Sequence, residues 1–152
     1  MMLSEHFSLR ELTASQTAAR LGIDNTPGDA EIAALRQVCE NILEPIREYF
    51  GIPFTPSSGY RSVRLCEAIG SKSTSQHALG QAVDFEVPHL DNLILAHWIK
   101  ANLRFDQLIL EFYEEGEPNS GWVHASYADG MRGQCLTYNK QRGYSIGLPK
   151  VP

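Results

Sequence analysis

The strongest periodic signal in the chain lies between residues 30 and 49, where Ile32, Leu35, Val38, Ile42, Leu43 and Ile46 recur at helical spacing. This stripe predicts one long amphipathic helix. The run Asn25-Thr26-Pro27-Gly28-Asp29 supplies the turn and the helix start, and Pro45 is expected to kink the helix or split off its last turn. Ahead of it, residues 4–21 read as a polar amphipathic opening in which Ser8 and Glu11 have capping-box spacing. Behind it the pattern changes to short apolar or alternating runs. Residues 52–54, 82–87, 107–112 and 122–126 read as strands, the second ending at Pro88. Helical segments are expected at 63–69 and 90–103, the latter with Leu93, Ala96, His97 and Ile99 on or near its packing face. An acidic loop with Gly and Pro, residues 113–120, separates the last two strands and suggests antiparallel pairing. The tail from Gly130 is rich in Gly, Lys and Arg, and only 136–138 and 144–146 hint at order. The expected fold is α+β, with N-terminal helices packed on a small, mainly antiparallel sheet.

The length of 152 residues suits one domain with a single core. We place that core at about 6–127 and treat 128–152 as a C-terminal extension. Hydrophobic content of 43% and charged content of 20% are ordinary for a globular protein. A net charge of −5 lacks the basic footprint of a nucleic-acid binder and offers no simple attraction to an anionic membrane or wall. Cys39, Cys66 and Cys135 are odd in number and show no C-x-x-C spacing, so buried free thiols are expected rather than a disulfide framework. The start of the chain has no basic region followed by an apolar one, and no apolar run approaches the ~20 residues of a membrane span. The expectation is a monomer made in the cytoplasm without a signal peptide and without membrane insertion. An external substrate would then require release or delivery of the protein.

Chemistry concentrates in two places. The polar loop 70–76 leads to His77, and Gly80 gives the backbone room before Asp84 in an alternating strand. His124 lies in a second strand, sharing a face with Trp122 and Ser126. Two imidazoles and one carboxylate form the ligand set of a catalytic zinc with an open fourth position. The H-x6-D spacing alone arises by chance, and a lone histidine such as His89 or His97 is ordinarily structural or exposed.

The joint pattern is more specific. Ser75-x-His77-x-x-Gly80-x-Ala82-x-Asp84, then Trp122-Val123-His124-x-Ser126, resembles the M15 family of zinc D,D-/L,D-peptidases, which shares its fold with the hedgehog signalling domain. Ser58-Gly59-Tyr60-Arg61-Ser62 matches a further landmark. The opening, with Phe7-Ser8, Glu11-Leu12 and Asn25-Thr26-Pro27, is similar to the phage and prophage branch. The resemblance covers roughly residues 6–127. It implies hydrolysis of peptide bonds in peptidoglycan stem peptides, with His77, Asp84 and His124 holding one zinc ion.

Many members of that family carry the catalytic acid three residues before the last histidine, where this chain has Gly121. Glu111 is the expected replacement, because a carboxylate ending an apolar strand is costly unless something compensates it. An ion pair, for instance to Arg61, is the structural alternative, while Glu114, Glu115 and Glu117 read as a solvated charge run. Arg61 follows a Ser-Gly-Tyr turn and could stabilise an oxyanion or clamp a substrate carboxylate. Ser75 is expected to support a ligand by hydrogen bonding, and Tyr60 and Trp122 to wall the cleft. Cys66 has no histidine or acid spaced to make it a nucleophile. Two other functions fit parts of the pattern. A non-haem iron oxygenase also uses two histidines and a carboxylate, but six intervening residues suit it poorly. A zinc-stabilised cell-wall or protein-binding module on the same fold would need no catalytic acid.

Overall fold

The computed structural model describes all 152 residues. Its N-terminal half is helical. Helix α1 (Leu9–Thr13) begins with the expected capping box: the Glu11 N–H donates to Ser8 Oγ at 3.2 Å and the Ser8 N–H to Glu11 Oε1 at 3.1 Å. Helix α2 (Gln16–Leu21) is capped by Ser15 and closes on Gly22.

The long periodic stretch is one continuous helical rod with a change of winding. Helix α3 (Asp29–Val38) passes into a π-helical segment (Cys39–Leu43) and then into α4 (Glu44–Phe50). The Glu44 N–H reaches back five residues to the Cys39 carbonyl, and Pro45 occupies the first turn of α4. A proline has no N–H to donate, so the wide turn places it where a helical donor is dispensable. This is how the expected kink is accommodated. Leu35, Val38, Cys39, Ile42, Leu43 and Ile46 are fully buried along the rod, each large aliphatic among them contributing roughly 1.5–3 kcal/mol of burial. Helices α5 (Val63–Ala68) and α6 (Asn92–Asn102) follow, α6 capped by Asp91.

The strands are β1 (Ala82–Phe85), β2 (Gln107–Glu111), β3 (Trp122–Ser126), β4 (Gln134–Asn139) and β5 (Gly143–Ile146). They form one mixed sheet in the order β1-β3-β2-β4-β5. β3 is antiparallel to both β1 and β2, and β4 is antiparallel to β5, as a mainly antiparallel sheet requires. The β2–β4 pair is parallel, because the chain leaving β3 passes β2 before it enters the sheet again. Alternation divides the faces. Val83, Phe85, Leu108, Leu110, Val123 and Ala125 join the helices in one core, while Asp84, Ile109, Glu111, Trp122 and His124 point the other way.

Two sequence expectations need correction. Residues 52–54 are not a strand; the chain there is extended, and only Ser58 pairs, through an isolated bridge to Asp84. The tail is more ordered than its composition suggested, since β4 and β5 complete the sheet.

Candidate metal centre

His77 sits in a short 3-10 helix (Gln76–Leu79), started by Ser75 and ended by Gly80 at φ +73°. Its ring Nδ1 lies 2.7 Å from the Gly59 carbonyl oxygen. A carbonyl only accepts, so Nδ1 donates to it, and the other ring nitrogen, Nε2, faces Asp84 Oδ2 at 3.3 Å. A side chain at Gly80 would press on the Glu31 backbone, which accounts for glycine between His77 and Asp84 beyond its left-handed conformation.

Asp84 and His124 are directly opposed across β1 and β3, with Asp84 Oδ1 2.9 Å from His124 Nδ1. One potential ligand atom from each of His77, Asp84 and His124 can be chosen so that all lie within 4.8 Å of one another. Burial opposes ionisation of Asp84, but hydrogen bonds to His124 and His77 outweigh it and hold the carboxyl well below the usual carboxylate range. Two nitrogens and an ionised carboxylate, preoriented and buried, fit a divalent cation. The 3.3 Å between His77 Nε2 and Asp84 Oδ2 is also the spacing of two ligands around a tetrahedral ion with ~2.0 Å bonds.

Glu111 ends β2 opposite Trp122, and its Oε1 is 3.8 Å from His124 Nδ1. Burial, then the charge of Asp84, pushes its carboxyl above the ordinary glutamate value, against a smaller opposing pull from His124 and Arg61. Gly121, three residues before His124, has φ +63°, and a Cβ there would overlap the Glu111 carbonyl oxygen. No side chain fits at that position. Glu111 approaches His124 from the neighbouring strand.

Arg61 does not pair with Glu111. Its guanidinium donates to Asp84 Oδ2 at 3.1 Å, its backbone N–H donates to the His77 carbonyl at 3.1 Å, and its Nε is buried without a partner. Trp122 lines the cleft, with Nε1 also unpartnered. One expectation fails. Tyr60 is buried in the core and does not wall the cleft, since its backbone is fixed to the Leu12 carbonyl. Ser75 supports His77 through the main chain, accepting from the His77 N–H at 3.2 Å, and the ring is held by Gly59. Glu114, Glu115 and Glu117 are exposed in their loop. Cys66 is buried, with its thiol raised by burial, and burial pushes the Cys39 thiol up to about 12, so neither is a nucleophile.

Three contributions escaped the sequence reading. One is the Gly59 carbonyl. Another is Asp106, which accepts from Gln76 Nε2 at 2.8 Å and from the Arg132 guanidinium at 2.7 and 2.9 Å. The third is the pair Tyr138 and Tyr144, which line the cleft from β4 and β5.

The family model described as Peptidase M15 matches residues 5–125, a span that includes all three ligand candidates, Arg61 and Glu111. The chain belongs to the peptidase M15 family. No curated protein sequence matches it. As an M15 peptidase the protein is a hydrolase of the metallopeptidase class acting on a peptide substrate, and the sheet face above is where residues that could hold a metal ion converge. No helix of this M15 peptidase is long and apolar enough to cross a membrane.

Proposed function

We propose that the protein is a zinc metallopeptidase that hydrolyses peptide bonds in peptidoglycan stem peptides, with His77, Asp84 and His124 as ligands and Glu111 as the general base. The observation that carries this reading is Glu111 itself: a half-buried carboxylate with a raised proton affinity, 3.8 Å from the imidazole of His124. A binding module would have no use for it.

His77 Nε2, an Asp84 oxygen and His124 Nδ1 would hold the ion. When bound, zinc supplies Lewis acidity, polarising the scissile carbonyl and acidifying a water. Glu111 then accepts the proton of the attacking water at its carboxylate and passes it to the leaving amine nitrogen. Its elevated proton affinity suits both halves of that shuttle. Arg61, hydrogen-bonded to Asp84, fixes that carboxylate and lines the cleft, where its guanidinium would meet developing negative charge on the substrate oxygen. Gly59 and Ser75 keep the His77 ring and backbone in place.

We further propose that the protein is a monomer that works on the bacterial cell wall after release or delivery from the cytoplasm, as a phage or prophage lysis enzyme would. The test is Glu111→Gln. It is expected to retain one zinc per chain and the wild-type circular dichroism, while clearance of a purified peptidoglycan suspension falls by ~10²–10⁴-fold. Undiminished clearance would remove Glu111 from the mechanism. A wild type that binds peptidoglycan without cleaving it would favour the binding module.

A further inference from the structure

The cleft has two arms that meet at Arg61, Asp84 and Trp122. One arm runs toward α2 and α5 and is walled by small and aliphatic side chains, among them Ala14, Ala19, Leu65 and Ile69. The other crosses the sheet. Cross-strand register places Trp122, Glu111, Tyr138 and Tyr144 in a single row over β3, β2, β4 and β5. Tyr138 and Tyr144 touch, with ring centroids 4.6 Å apart, and Tyr144 is 63% exposed. Both belong to the β4–β5 hairpin, beyond the family match that ends at residue 125. Neighbouring strands lie ~4.8 Å apart, so Tyr144 stands two strands, or ~10 Å, from Glu111, which is roughly three residues of extended peptide.

An enzyme that removes a terminal residue is served by a cleft that stops just past the scissile bond. Here the exposed Lys72 lines the second arm, and Arg61, bonded to Asp84, lies where the two arms meet. The cleft continues on both sides of it. Arg132, further out, is bound by Asp106.

Building on the peptidase reading, we propose that the protein is an endopeptidase whose substrate runs through both arms, and that Tyr138 and Tyr144 form a specificity-determining wall for the segment about three residues from the cleaved bond. Aromatic rings suit this role because they offer large rigid area with a polar tip.

The experiment compares two purified substrates with the zinc-loaded full chain: a cross-linked muropeptide dimer and an uncross-linked pentapeptide monomer. Cleavage of internal bonds in the dimer is expected, with no loss of the monomer's terminal residue. Tyr144→Ala should raise KM for the dimer about tenfold with kcat held within about twofold, and Tyr144→Phe should retain most of the affinity. Release of the terminal residue alone, or a wild-type KM for Tyr144→Ala, would overturn the proposal. Failure to cleave either substrate would instead count against the peptidase reading. Calorimetric titration with the dimer then judges the wall separately: weaker binding by Tyr144→Ala supports it, and equal binding overturns it.

Discussion

Glu111 is held between opposing influences, and its ionisation can be followed. Burial and the negative Asp84 raise its proton affinity, so the carboxylate needed as base exists only above the ordinary glutamate value of about 4.3. As pH falls through the raised value the group takes up a proton and activity is lost. In the zinc-free protein the Glu111 carboxyl should therefore titrate above that value, followed by side-chain carboxyl NMR, and a titration at or below it would contradict this electrostatic account. At this scale much of the site was legible. His77, Asp84 and His124 are the right residue types in loop and strand contexts, and alternation put His124 and Trp122 on one face. The Gly59 carbonyl was not legible, because a backbone acceptor leaves no mark on residue identity. Tyr60 was misplaced because an aromatic after a glycine turn says nothing about which way it points; it turned into the core. Ser75 was correctly placed beside His77, but its contact is with the backbone.

Among the elements, the β2–β3 pair does most to define the chemistry. Its register sets Glu111 opposite Trp122, and Gly121 lets the chain enter β3 close against the Glu111 carbonyl. Gly121→Ala combines an unfavourable positive φ with a backbone overlap, so it should cost about 3 kcal/mol or more, measured as a fall in the urea midpoint. For the same reason, Gly121→Glu should not recreate the acid position of other family members. The helical rod was legible in its stripe and in Pro45, although the π-helical resolution was not, since a wide turn requires no distinctive residue. β4 and β5 were the least legible. They bury Leu136 alone, and Ile146 is 96% exposed, so no alternating apolar pattern announces them. The pairing of β4 with β2 and of β5 with β4 is made by backbone groups that every sequence supplies.

Over the whole molecule, Asp106 ties separate parts of the site together. It receives Gln76, next to His77, and Arg132, at the entry to β4. The hydrogen bond from Arg132 and, against burial, those from the Arg132 backbone and Gln76 hold its carboxyl well below the usual range. A depressed folded value gives stability that is complete above the unfolded aspartate value of ~3.9 and fades as pH falls through the folded one. Asp106→Ala should cost ~2–3 kcal/mol in denaturant unfolding at neutral pH, with the deficit shrinking in acid. A deficit that does not vary with pH would separate Asp106 from this linkage. The most direct measurement of what the assembled site does is mass spectrometry of the products formed from purified peptidoglycan by the zinc-loaded protein and by the same protein after chelation. The zinc-loaded sample should yield stem-peptide fragments that have each gained one water at a cleaved peptide bond, and the chelated sample none. Intact stem peptides with zinc present, or fragments severed only in the glycan strand, would contradict it.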